Sequence, residues 1–253
     1  MTWSLNEIEA LARKASRGAG FPWGLAEEAC RAARWTCAAG WPGALALADV
    51  LTRNDSAPAA TLGPQALGET WSASGGLLCP IVTGATLCDL AADWAAGRTV
   101  TMGPFAWPLL LVPYMVWAAD RTGAPLSLGW QGCTITRADG KTRLDDPGAD
   151  LDCAATPTVY LSTTNTRHGT VLTRLYRAAP MPQAVTILDA FAQRTYALRN
   201  RGQPPDRRRC GPQRQRLTAR KFCEFSGALR LAIRARKFAE FSQAATSTPK
   251  WTA

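Results

Sequence analysis

Between Ser4 and Ala15 the apolar positions fall at Leu5, Ile8, Leu11, Ala12 and Ala15, the three-and-four spacing of one helical face. Ser4-Leu5-Asn6-Glu7 in front of them is a capping-box pattern, and Gly18 and Gly20 mark the end of the predicted helix. The same spacing returns at Leu25, Ala26, Ala29, Ala32 and Ala33. It predicts a second helix from near Gly24 to about Ala39, with Glu27 and Glu28 in its first turn, where the helix dipole favours acids. Pro42 fits the first position of a third helix running to Leu51. Asn54 to Gly68 is rich in Pro, Ala and Gly and reads as a loop, followed by a helical stretch from Ala85 to Ala96.

Past residue 100 the pattern changes. Leu109–Trp117, Leu126–Gly129, Cys133–Thr136, Thr158–Thr163 and Val171–Tyr176 carry β-branched or aromatic residues between turn signals and are predicted as strands. Asp139-Gly140, between Thr134-Ile135 and Thr142, is a hairpin-turn candidate. Pro182 opens a last helix through Leu188, Phe191 and Ala192. Helices first and strands later predict an α+β fold, an N-terminal helical unit followed by a mostly antiparallel sheet with packing helices. Residues 1–197 are expected to form one such domain, with 1–52 its helical part and 70–197 its mixed part.

Composition narrows the class. At 47 % hydrophobic and 19 % charged residues the chain is in the ordinary globular range. Met1 to Gly20 has no continuous apolar core of the secretory kind, since Glu7, Glu9, Arg13, Lys14 and Arg17 interrupt it. The most apolar window, Phe105 to Ala119, is short for a membrane span and contains Pro108 and Pro113. The expectation is a soluble, cytoplasmic protein without a membrane partner. The eight cysteines form no Cys-x-x-Cys pair, and His168 is the one histidine, so no metal site is predicted and buried, reduced thiols are expected.

Charge changes the picture through its position. The net charge is +10, yet from Leu198 onward there are 14 Lys or Arg against the acids Asp206, Glu224 and Glu240, so the body up to Ala197 is close to neutral. Within that stretch Arg207 to Arg216 has no helical or strand period, and two later segments, Ala219–Ser226 and Ala235–Ser242, are near copies.

The sequence holds no phosphate-binding loop, no dinucleotide fingerprint, no Gly-x-Ser-x-Gly and no His-Glu-x-x-His. No cofactor is therefore assigned. The most distinctive string is Gly20-Phe21-Pro22-Trp23-Gly24-Leu25-Ala26-Glu27-Glu28. Its bland interpretation is an aromatic turn with Trp23 packed over a helix that the two acids cap. The functional one is a polar pocket in which Glu27 or Glu28, near Arg17 or Arg34, meets Trp23 and Trp35. His168, in Asn165-Thr166-Arg167-His168-Gly169, is either a passive loop residue or a general base or substrate contact.

Ser4-Leu-Asn-Glu-Ile-Glu-Ala-Leu-Ala-Arg-Lys-Ala, Gly18-Ala-Gly-Phe-Pro-Trp-Gly-Leu-Ala-Glu-Glu-Ala and Arg34-Trp35 together resemble a bacterial family of unknown function, DUF3726. The resemblance extends over about residues 4 to 197 and implies no activity. It also implies a different ending after Ala197. With that ending as guide, Arg199 to Thr218 read from the second base of each codon permits a Gly- and Ala-rich terminus closing on acids and a stop. Residues 198–253 are accordingly expected to be a disordered, frameshifted read-through tail.

Three readings of function follow, and whether the protein is an enzyme stays open among them. The first is a protein that binds an unknown small molecule, or an accessory protein of metabolism. The second is a carboxylate-based enzyme using Glu27 or Glu28 as acid or base, with His168 or Arg17 as partner. The third is nucleic-acid binding through the basic 198–253 stretch, which requires that stretch to be native.

Overall fold

The computed structural model describes residues 2–146 and 151–196, which lie in one unit of the chain, Met1–Ala197. The expectations for residues 198–253, a disordered frameshifted tail or a basic nucleic-acid-binding arm, fall outside the described residues. So do Cys210 and Cys223.

The first helix forms as its sequence dictates. α1 (Leu5–Gly18) starts at the Ser4 cap, where the Glu7 amide donates to Ser4 Oγ at 3.2 Å and the Ser4 amide donates back to Glu7 Oε2 at 2.7 Å. Both members of the predicted capping box are present, and the bonds to Ser4 hold the Glu7 carboxyl below its ordinary value. α1 turns Leu5, Ile8, Ala12 and Ala15 inward. α2 (Trp23–Ala38) and α3 (Gly43–Arg53) pack beside it, and α8 (Pro182–Gln193), with its proline in the first turn as expected, closes the group through Leu188 and Phe191. A two-stranded ribbon, β1 (Trp3–Ser4) against β11 (Arg177–Ala178), flanks α1.

The proposed third-helix start is off by one position: Pro42 is the cap and Gly43 the first helical residue. The loop after it contains one short turn, α4 (Ala59–Leu62). The helix expected from Ala85 to Ala96 begins earlier, at Pro80, and is broken at Leu90 into α5 (Pro80–Asp89) and α6 (Ala91–Ala95).

A second half is built on a seven-stranded sheet. Its strands are β2 (Thr70–Trp71), β3 (Val100–Met102), β5 (Leu126–Trp130), β6 (Cys133–Ala138), β7 (Lys141–Leu144), β9 (Val159–Thr163) and β10 (Thr170–Val171). They run in the order β10-β7-β6-β5-β9-β3-β2, antiparallel except for β2 and β3. β4 (Phe105–Ala106) and β8 (Ala155–Thr156) form a further small pair. The sheet and the α+β class agree with the sequence. The Asp139-Gly140 turn does too: both residues have positive φ, 53° and 67°, and Ala138 faces Lys141 across it.

Two strand predictions fail. Leu109–Trp117 is helical, a 3₁₀ turn (Pro108–Leu111) leading into α7 (Val112–Thr122). An apolar run this continuous suits a helix buried on most of its surface as well as it suits a strand, and here Val112 to Val116, Ala118 and Ala119 are all buried. Val171–Tyr176 pairs only at Thr170–Val171, and Tyr176 is 84 % exposed. Among the described residues no helix is long and apolar enough to cross a membrane.

A candidate polar site between three helices

α2 carries both acids flagged in the sequence, and its period separates them. Successive helical residues point about 100° apart. The helix starts at Trp23, one residue earlier than predicted, so Glu27 and Glu28 lie in its second turn and cap nothing. Glu27 faces α1, where its Oε1 lies 2.8 Å from Arg13 Nε, an ion pair by distance whose N–H is not aligned for a hydrogen bond. Arg13 also reaches Glu9 at 3.4 Å, and Arg34 donates to the other Glu9 oxygen at 2.8 Å. This half-exposed network ties α1 to α2 and has the modest energetics of surface ion pairs.

Glu28 turns the other way, towards α5 and α7. The residue is half-buried, and its Oε2 is buried with no hydrogen-bond partner among the described residues. Burial pushes its pKa up to about 7, with the charge of Asp89 at the end of α5 adding to the effect and Arg31 opposing it. From α7, which packs on both α2 and α5, Tyr114 lies near enough to Glu28 to feel its charge. Its side chain is 1 % exposed, and its hydroxyl likewise has no partner among the described residues. Burial raises the phenol well above its ordinary value, and Glu28 supplies the largest charge acting on it. α5 admits the ring because Gly84 has no side chain: a Cβ there would lie 2.4 Å from two ring carbons. Cys88, whose thiol is pushed up to about 12 by burial and then by Glu28, lies 3.4 Å from the Tyr114 carbonyl oxygen. Arg121 donates to the Cys88 carbonyl at 2.9 Å, neutralising part of the negative end of α5.

The arrangement is a carboxyl and a phenol held in a water-poor junction. Glu28 at neutral pH is divided between acid and carboxylate, so it can both donate and accept a proton.

The other candidates are elsewhere. Arg17 donates to the Phe21 carbonyl and stacks over Trp23, 4.8 Å from the ring centroid, on an exposed part of the surface. Trp35 packs against Trp41 at 5.9 Å, and Arg34 is engaged by Glu9. His168 is exposed in the segment leading into β10, the outer strand of the sheet. Of the expected pocket, only Glu27 and Arg34 are brought together, through Arg13 and Glu9, while Arg17 stacks on Trp23, Trp35 packs on Trp41 and Glu28 faces α5 and α7. Sequence reasoning missed Tyr114, Cys88 and Asp89. Their one sequence signal, a glycine at 84 just ahead of the helical stretch read from Ala85, gains meaning only when α7 is known to lie against it.

No curated protein and no solved structure matches the chain. A family match covers residues 3–79, the helical unit with Glu28, and stops short of α5 and α7. That is narrower than the resemblance read over about residues 4 to 197. What this segment is similar to is the family described as protein of unknown function, DUF3726.

Proposed function

We propose that this is a small-molecule binding or accessory protein of metabolism whose ligand is met at the junction of α2, α5 and α7. The observation that carries the reading is the pair of buried, unpartnered oxygens, Glu28 Oε2 and Tyr114 Oη. Buried polar atoms without partners are costly, and sites that keep them commonly hold them for a guest or an ordered water. The near-neutral charge of the body and the missing catalytic motifs support binding over turnover. The test is a melting-temperature screen of wild type and Glu28→Gln against a broad metabolite panel. A ligand that raises the melting temperature of wild type only, without being consumed, supports the reading. Flat melting across the panel overturns it.

One observation favours a second reading, acid–base catalysis by Glu28: a carboxyl at about 7 is matched to proton transfer near neutral pH. Tyr114 would then take the partner role first given to His168 or Arg17. Consumption of a panel compound by wild type, lost in Glu28→Gln and following one ionisation near pH 7, distinguishes this from binding alone.

A further inference from the structure

We infer that the Glu28–Tyr114 junction takes a small cation that donates hydrogen bonds, an ammonium or primary amine, rather than an anion or a neutral acceptor. The inference rests on the reading of this junction as a ligand site and goes further by naming the class of guest.

The acceptors and acids facing the junction point to that class. α2 contributes the Glu28 carboxyl, whose buried oxygen accepts nothing among the described residues. α7 contributes the Tyr114 hydroxyl, equally buried, whose oxygen can accept a second hydrogen bond. α5 ends here with its C-terminal carbonyls, the end of a helix that attracts positive charge, and with the Asp89 carboxylate. Two cations oppose these groups. Arg31 is exposed on α2, and Arg121 on α7 is occupied by the Cys88 carbonyl. The Cys88 thiol, pushed up to about 12, stays neutral and adds no charge. An anionic guest would meet Glu28, Asp89 and the helix end together. A guest with N–H donors and a positive charge would supply what Glu28 lacks, a partner that stabilises its ionised form. Binding and ionisation are then coupled: each bound ammonium favours the carboxylate, and each protonation of Glu28 releases the ammonium.

Tyrosine makes the site observable. The chain has four tyrosines, so protein labelled with 3-fluorotyrosine gives a countable set of fluorine resonances, and Tyr114→Phe identifies the one from the junction. The probe is ethylamine, which stays protonated from pH 6 to 8, with ethanol and propionate as neutral and anionic controls. The expected result is a saturable shift of the Tyr114 resonance with ethylamine alone. Its affinity should rise about tenfold between pH 6 and 8, the rise in ionised fraction of a group at about 7. Glu28→Gln should abolish the response while leaving the other three resonances in place, which shows that the variant is folded.

Saturable binding of propionate or ethanol instead, lost in Glu28→Gln, keeps the junction as a ligand site and overturns the cation. A Tyr114 resonance that none of the probes moves at pH 8 also overturns it, since the two oxygens are then satisfied by bound water only. Ethylamine binding that persists unchanged in Glu28→Gln overturns the assignment to this carboxyl.

Discussion

The helical half and the sheet half solve the problem of burying a core with different materials. The core among α1, α2, α3 and α8 is built on alanine, at positions 12, 15, 19, 29, 33, 38, 44, 46, 48 and 184, with Leu47, Leu51 and Leu188 between them. The core under the sheet holds Trp71, Trp94, Trp130, Met102, Met115 and Phe105. Small side chains bring helix backbones close, so the first core is sensitive to any atom added. Large side chains fill wide gaps between helix and sheet, so the second is sensitive to atoms removed.

That contrast can be broken by substitution. The largest effect is expected in the sheet half, from Trp94→Ala. Trp94 is fully buried, lies 5.8 Å from Trp71 in an edge-on contact and donates through Nε1 to the Leu87 carbonyl at 2.8 Å. Its loss should cost about 3–5 kcal/mol in a denaturant titration. Destabilisation below about 1 kcal/mol would mean the core can collapse around the gap.

The boundary between the halves comes next. Glu28 titrates at 4.5 in its ordinary state and at about 7 in the fold, so the folded protein holds that proton longer than the unfolded chain. Stability from this group is therefore full below about pH 4.5 and lost as pH rises through about 7. The loss is on the order of 2–3 kcal/mol once complete. Glu28→Gln should remove this slope and melt higher than wild type at pH 8, with little difference at pH 4.5. A variant that melts lower at pH 8 would show Glu28 ionised and partnered.

In the helical half the informative change adds a single methyl. A Cβ at Gly43 would lie 2.7 Å from the Ala33 carbonyl oxygen and 2.8 Å from the Thr36 Cβ. Gly43→Ala should thus destabilise by about 1–3 kcal/mol, despite alanine being the better helix former. A neutral or stabilising result would show that α2 and α3 can separate without penalty. Smallest of the four, Ser4→Ala removes the α1 cap and should cost about 1 kcal/mol by thermal melting. Glu7→Gln, which keeps a hydrogen-bonding side chain, should cost less.

The same contrast explains what could be read from the chain. The helical half announces itself because its signals are local: the Ser4 and Glu7 box, the spacing from Leu5 to Ala15, and Pro182 at the head of α8 all act within one or two turns. In the sheet half, β2, β3, β4, β8 and β10 are two or three residues long and carry no period to detect. The residues of α7 resemble a strand because burial removes the polar face that would reveal a helix. The site was half legible for a related reason. Glu27 and Glu28 are equivalent in sequence, and only the packing of α1 on one side and α5 on the other tells the ion-paired acid from the buried one. Tyr114 lies 86 positions from Glu28 by number, and no local signal connects them.

The closure of the helical half by α8 also sets an order of events during synthesis. Lys14 on α1 donates to the Tyr196 hydroxyl at 3.0 Å across 182 positions, and the Arg177 guanidinium donates to the Thr2 carbonyl across 175. At roughly 5–20 residues per second, α1 leaves the ribosome on the order of ten to forty seconds before the partner of its outer face exists. Through that interval α1 and α2 can pair, but the surface that Leu188 and Phe191 will cover stays open to any hydrophobic surface that arrives first.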